Sequence, residues 1–97
     1  MIDPQTFSKL KDILFRYIDP KDYSLFIFGS RATDKNKKYS DIDIGVEGKK
    51  PLTLRTLARV HDAFEESDLP YTVDVVDFAT VSDRFKRVAK KESIALN

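Results

Sequence analysis

The chain of 97 residues has no cysteine, no tryptophan and a single histidine. Without cysteine there is no disulfide, thiolate zinc site, iron–sulfur cluster or cysteine nucleophile, and a reducing cytoplasm is the expected location. One histidine leaves no material for a His-rich metal site. Any chemistry must therefore run on carboxylates, hydroxyls and cations. Charge of one sign is also lacking: seventeen Lys and Arg face sixteen Asp and Glu. Bulk charge thus argues against a nucleic-acid or anionic-membrane partner. No stretch approaches the ~18–20 apolar residues of a membrane span. The N-terminal MIDPQTFSKLKD has no apolar segment of the signal-peptide kind. What the chain does have is material for a core: 41% hydrophobic residues, including seven Phe and four Tyr. That exceeds what a disordered chain carries. The length suits one domain over residues 1–97 and leaves no room for a second.

Asp3-Pro4 marks a helix start, with Asp3 as N-cap and Pro4 at the first helical position, where its missing N–H costs nothing. Phe7, Leu10, Leu14 and Tyr17 recur at helical spacing, and Ile13 and Ile18 widen the stripe up to Asp19-Pro20. Residues 23–28, YSLFIF, read as a buried strand emptying into the Gly29-Ser30 turn. RATDKNKKY at 31–39 is a polar loop. SDIDIGVEG alternates: Asp41, Asp43 and Gly45 fall on one face, Ile42, Ile44 and Val46 on the other. A second strand is expected there. Leu54, Leu57, Ala58, His61 and Phe64 predict a helix from about Thr53 to Ser67, with this set as its apolar stripe. YTVDVVDF at 71–78 is a third strand, and Thr80 with Asp83 gives a capping pattern before a short basic helix carrying Phe85, Val88 and Ala89.

The order is α-β-loop-β-α-β-α. A helix between strands two and three demands a crossover and hence a parallel pair, whereas the short loop between strands one and two suits an antiparallel one. The fold class is α/β: a small mixed sheet of three or more strands with helices packed on it.

The informative stretch runs from Gly29 to Asp43. An antiparallel turn-back brings the Gly-Ser turn and the Asp-x-Asp carboxylates to the same end of the sheet. Asp41 and Asp43 leave the same strand face about 6–7 Å apart along the chain. Two carboxylates aimed at one point repel unless a cation lies between them, and Mg²⁺ suits carboxylate oxygens plus substrate phosphates. Gly29, lacking a Cβ, lets the backbone approach a phosphate, and Ser30 adds a hydroxyl and an N–H. Metal and phosphate turn together make a nucleoside-triphosphate site, suited to phosphoryl or nucleotidyl transfer.

GSRATDKNKKYSDIDIGV resembles the signature of the DNA polymerase β-like nucleotidyltransferase superfamily, Gly-Ser followed ten residues on by Asp-x-Asp. The short length and the VDVVDF strand are similar to its minimal nucleotidyltransferase branch. The resemblance implies a polymerase β palm-like fold and transfer of NMP, with AMP from ATP foremost, to an acceptor hydroxyl. It implies that Asp41 and Asp43 hold Mg²⁺, two ions being expected, and that a third carboxylate on a neighbouring strand completes the site. It also implies a small helical HEPN-type protein partner in a toxin–antitoxin pair, this chain being the antitoxin, within a homo- or hetero-oligomer. A non-catalytic module that neutralises its partner by occlusion is the alternative.

Asp74 and Asp77 compete for the third position. They lie three apart on one strand and so point to opposite faces. Asp74 is preferred, since it sits in the half of the strand expected beside Asp41 and Asp43 within a run that otherwise reads as buried. A slip of one residue would exchange the two. Arg31 is a candidate clamp for the triphosphate, its fork matching phosphate oxygens. Ser40 is read as orienting the strand entry. Lys35, Lys37 and Lys38 form a basic loop near the site, and Arg84, Lys86, Arg87, Lys90 and Lys91 make the last helix basic. His61 is read as a packing residue, and Tyr23, Phe26, Phe28, Phe64, Phe78 and Phe85 as core. Ile94 and Leu96 in the tail are expected to dock on the sheet edge or on a partner.

Overall fold

A computed structural model describes residues 2–29 and 41–97. Ser30, Arg31, Lys35, Lys37, Lys38 and Ser40 lie outside the described residues. The elements are α1 (Pro4–Tyr17), β1 (Tyr23–Phe28), β2 (Ile42–Gly48), α2 (Leu54–Glu65), β3 (Val73–Asp77), α3 (Asp83–Lys91) and β4 (Ile94–Ala95). Among the described residues four strands form one mixed sheet in the order β3-β2-β1-β4. β1 pairs antiparallel with β2 and with β4. β2 and β3 are parallel, as the intervening α2 requires.

Local chemistry sets the helix starts. The Asp3 carboxylate accepts the Thr6 N–H at 2.9 Å and the Thr6 hydroxyl at 3.0 Å, with Pro4 opening α1. Thr53 accepts the Thr56 N–H at 3.1 Å to start α2. α3 is capped by Ser82, whose Oγ accepts the Phe85 N–H at 3.1 Å, rather than by Thr80. Thr80 is occupied one turn earlier, where its hydroxyl donates to the Asp77 carbonyl at 2.8 Å.

One face of the sheet presents Leu25, Ile27, Ile42, Ile44, Val46 and Val73 to α1 and α2, whose Leu10, Leu14, Val60 and Phe64 close the main core. The alternation read in SDIDIGVEG accordingly holds: Ile42, Ile44 and Val46 are fully buried there. The phase of α2 differs from the expected stripe. Phe64 faces inward and Leu57 is half-buried, but Val60 is the fully buried residue, while Ala58 is exposed and Leu54 is 85% exposed. His61 is not a packing residue either. Its side chain is 65% exposed, with Nε2 3.6 Å from Glu65. The inward stripe runs through Val60, Ala63 and Phe64, at helical spacing as good as that of the expected set.

The opposite face carries a smaller aromatic core of Phe26, Phe28 and Phe78. The Phe26 and Phe78 rings meet edge to face at 4.9 Å. Gly45 makes room for them, since a Cβ there would stand 2.4 Å from the Phe26 ring and 2.9 Å from Phe78. α3 crosses this face without burying any residue fully. It is fastened by an ion pair between Lys90 and Glu47 of β2 and by Phe85, which touches Phe28 and Phe78 edge-on. Phe85 is therefore not a core residue: it is 41% exposed. The tail docks on the sheet edge. Leu96 is buried, its N–H donates to the Leu25 carbonyl at 2.8 Å, and Asn97 accepts the Leu25 N–H while donating to the carbonyls of Pro20 and Tyr23.

Candidate active site

The aromatic face of the sheet also carries the carboxylates, and strand register places them. Phe28, the last residue of β1, lies opposite Asp43 on β2, and Asp43 lies opposite Asp74 on β3. Phe28, Asp43 and Asp74 thus form one row across three strands, with neighbouring strands about 4.8 Å apart. Asp41, just ahead of β2, shares this face two residues before Asp43 and is exposed.

Gly29 follows Phe28 directly and turns the chain with a positive φ of 78°. A Cβ at Gly29 would stand 2.6 Å from Asp43 Oδ2, so the bare backbone there is a condition of the carboxylate's position.

The electrostatics are those of crowded anions. The Asp43 carboxyl titrates above its ordinary value, chiefly because burial penalises its charge, then through repulsion from Asp74 and from Asp41. A cation drawn to these oxygens would relieve both causes. Among the described residues no group of three His, Cys, Asp or Glu side chains stands ready to hold a metal. Mg²⁺ does not need such a cage, because it takes one or two carboxylates and fills its remaining positions with water and substrate phosphates. The hard oxygen donors of Asp43 and its neighbours fit that ion.

Asp77 belongs to the other face and has a different occupation. It is buried, its Oδ2 accepts the Leu52 N–H at 2.7 Å and its Oδ1 the Ala79 N–H at 2.9 Å. It ties the end of β3 to the segment leading into α2. Asp74 is exposed beside Asp43.

Gly29 shares with Phe28 and with Phe85 and Val88 of α3 an apolar cleft of about 470 Å³ that no sequence expectation covers. The signal was the spacing of Phe85, Val88 and Ala89 along a helix otherwise rich in Lys and Arg. Of the three, the sequence places Phe85 alone in the core. No helix among the described residues is long and apolar enough to cross a membrane.

Residues 8–96 match the profile of the family described as nucleotidyltransferase domain. A probable protein adenylyltransferase of Haemophilus influenzae, MntA, is 41% identical over 75 residues, which cover 77% of this chain and 66% of that protein. The alignment thus spans a little under two thirds of that relative's length. Among solved structures, a chain of a toxin–antitoxin crystallised with AMP-PNP superposes with a TM-score of 0.77 at 25% identity, covering 94% of this chain and 72% of that one. A chain from the complex of a tri-AMPylated Shewanella oneidensis HEPN toxin with its MNT antitoxin gives 0.72 at 24% identity, over 96% and 70%, and shares the fold.

Proposed function

Since the chain belongs to the nucleotidyltransferase domain family, we propose that it is a Mg²⁺-dependent enzyme that moves AMP from ATP onto a hydroxyl of a small helical HEPN-type protein, as the antitoxin of a toxin–antitoxin pair. The observation that carries the reading is the Asp43–Asp74 register pair lying against the Gly29 turn. The name of the Haemophilus relative supports a protein acceptor, and the AMP-PNP of the toxin–antitoxin crystal supports ATP as donor.

In this reading Asp41, Asp43 and Asp74 would hold the metal, while Gly29, with Ser30 and Arg31, receives the phosphates. Bound Mg²⁺ would supply Lewis-acid neutralisation of the triphosphate and of the departing pyrophosphate. The chain's own residues do the rest. The Gly29 turn admits the triphosphate close to the backbone because no Cβ intervenes. Asp74, exposed where Asp43 is half-buried, faces the side from which an acceptor arrives, and one of its oxygens takes the acceptor's proton. The acceptor oxygen then bonds to the α-phosphorus as the bond from that phosphorus to the pyrophosphate oxygen breaks.

The test is transfer of label from α-³²P-ATP in the presence of a small helical HEPN-type protein. Replacing Asp41 and Asp43 together with Asn should abolish it. Undiminished labelling by that double variant would refute the proposal.

A further inference from the structure

We infer that the cleft between Gly29 and α3 is the nucleobase subsite, with Phe85 as the stacking platform. The inference rests on the nucleotidyltransferase reading and adds to it the part of the nucleotide that the carboxylate row does not touch. Val88 is 66% exposed and Phe85 41% exposed, on a helix whose other outward residues are largely Arg and Lys. Exposed apolar surface amid charge calls for an apolar occupant.

Continuity identifies that occupant. Gly29 lines the cleft and also lies against Asp43, so a nucleotide with its phosphates at the Gly29 turn has the cleft as its immediate neighbour. The volume, about 470 Å³, lies within the usual range of small-molecule sites, roughly 300–1,000 Å³. The platform is held in advance. The Phe85 ring meets Phe28 at 6.0 Å and 86°, and Phe78 at 5.7 Å and 62°. Two edge-to-face contacts hold the ring, so little freedom is lost when a base stacks on it. Stacking alone tolerates any base. Lys91 and Glu92, the polar lining of the cleft, offer one donor and one acceptor for choosing among them.

Titration calorimetry of the full chain in Mg²⁺ buffer, with ATP and with inorganic tripolyphosphate, tests this. Phe85→Ala should weaken ATP roughly tenfold, the order of one lost base–aromatic stack, and Phe85→Leu should weaken it less. Tripolyphosphate should bind both variants as it binds the parent chain. In the unsubstituted protein the Val88 methyl resonances should shift with ATP and stay put with tripolyphosphate, a readout independent of any variant's folding. Equal losses for the two ligands, or unmoved Val88 methyls at saturating ATP, overturn the inference. If the unsubstituted chain binds neither ligand, the nucleotidyltransferase reading itself fails.

Discussion

Gly29 and Asp43 meet so closely that a methyl group on Gly29 would stand 2.6 Å from Asp43 Oδ2. The positive φ of 78° adds a backbone cost for any other residue. Gly29→Ala should therefore cost about 1–2 kcal/mol of stability, lowering Tm by roughly 4–15 °C in a chain of this size. It should also cut label transfer more than about tenfold, because the displaced carboxylate is a proposed metal ligand. Thermal melts by circular dichroism alongside the labelling assay check both parts. A variant that melts lower but transfers at full rate would separate the turn from the chemistry.

Asp74 and Asp77 should part company under the same substitution. Asp74→Asn removes an exposed carboxylate from the site face, so it should fold normally and lose label transfer. Asp77→Asn leaves one oxygen where two backbone N–H groups are now accepted. It should lose about 1.5–3 kcal/mol, the range for a hydrogen bond to a charged group. It should still transfer label at temperatures where it remains folded. The opposite pattern would assign the third carboxylate to Asp77.

The raised titration of Asp43 has a definite sign. Its folded-state pKa lies above the unfolded value, so the folded state holds the proton more tightly. The associated stability is present below the unfolded pKa and is lost as pH rises through the folded pKa. In EDTA at neutral pH, Asp43→Asn should thus melt higher than the parent chain. The gap should shrink as the buffer is acidified toward the ordinary carboxylate range. A lower Tm for Asp43→Asn throughout would show that the carboxylate stabilises the metal-free fold.

Asn97 makes three hydrogen bonds that fasten the tail to β1 and to the carbonyl of Pro20. Asn97→Ala should cost about 1–2 kcal/mol, less than three full bonds because the site is partly solvated. Urea unfolding should register it as a lower midpoint with an unchanged slope.

Strong periodicity and local capping chemistry were readable directly. YSLFIF, the alternation of Ile42, Ile44 and Val46, and the Asp3-Pro4 start each carry their own physical cause within a few residues. The helix between the two strands implied the parallel β2–β3 pair, and with it Asp74 beside Asp43. The phase of α2 was not readable, because Leu54, Leu57, Ala58 and His61 fit a helical stripe as well as Val60, Ala63 and Phe64 do. Only packing against α1 and the sheet decides between them. The cap of α3 was misplaced by two residues because Thr80 and Ser82 are both sound caps, and Thr80 is drawn off by the Asp77 carbonyl. β4 is two residues long, below any periodic signal, and exists because the β1 edge was available. Of the candidate site, the carboxylates were legible from residue type and spacing, whereas the cleft beside Gly29 was not. Its apolar residues look the same in a sequence whether they face a core or solvent.

α3 has a thermodynamic consequence of its own. With no fully buried side chain, it is held by the Lys90–Glu47 pair and two ring edges, whereas the strands beneath are fixed by the main core. Its detachment requires far less free energy than global unfolding. In native-state hydrogen exchange the α3 amides should form a low-energy unit that opens while β1 and β2 remain protected. Ligand bound beneath that helix would be seen first as slower exchange in α3, well before any change in the melting of the sheet.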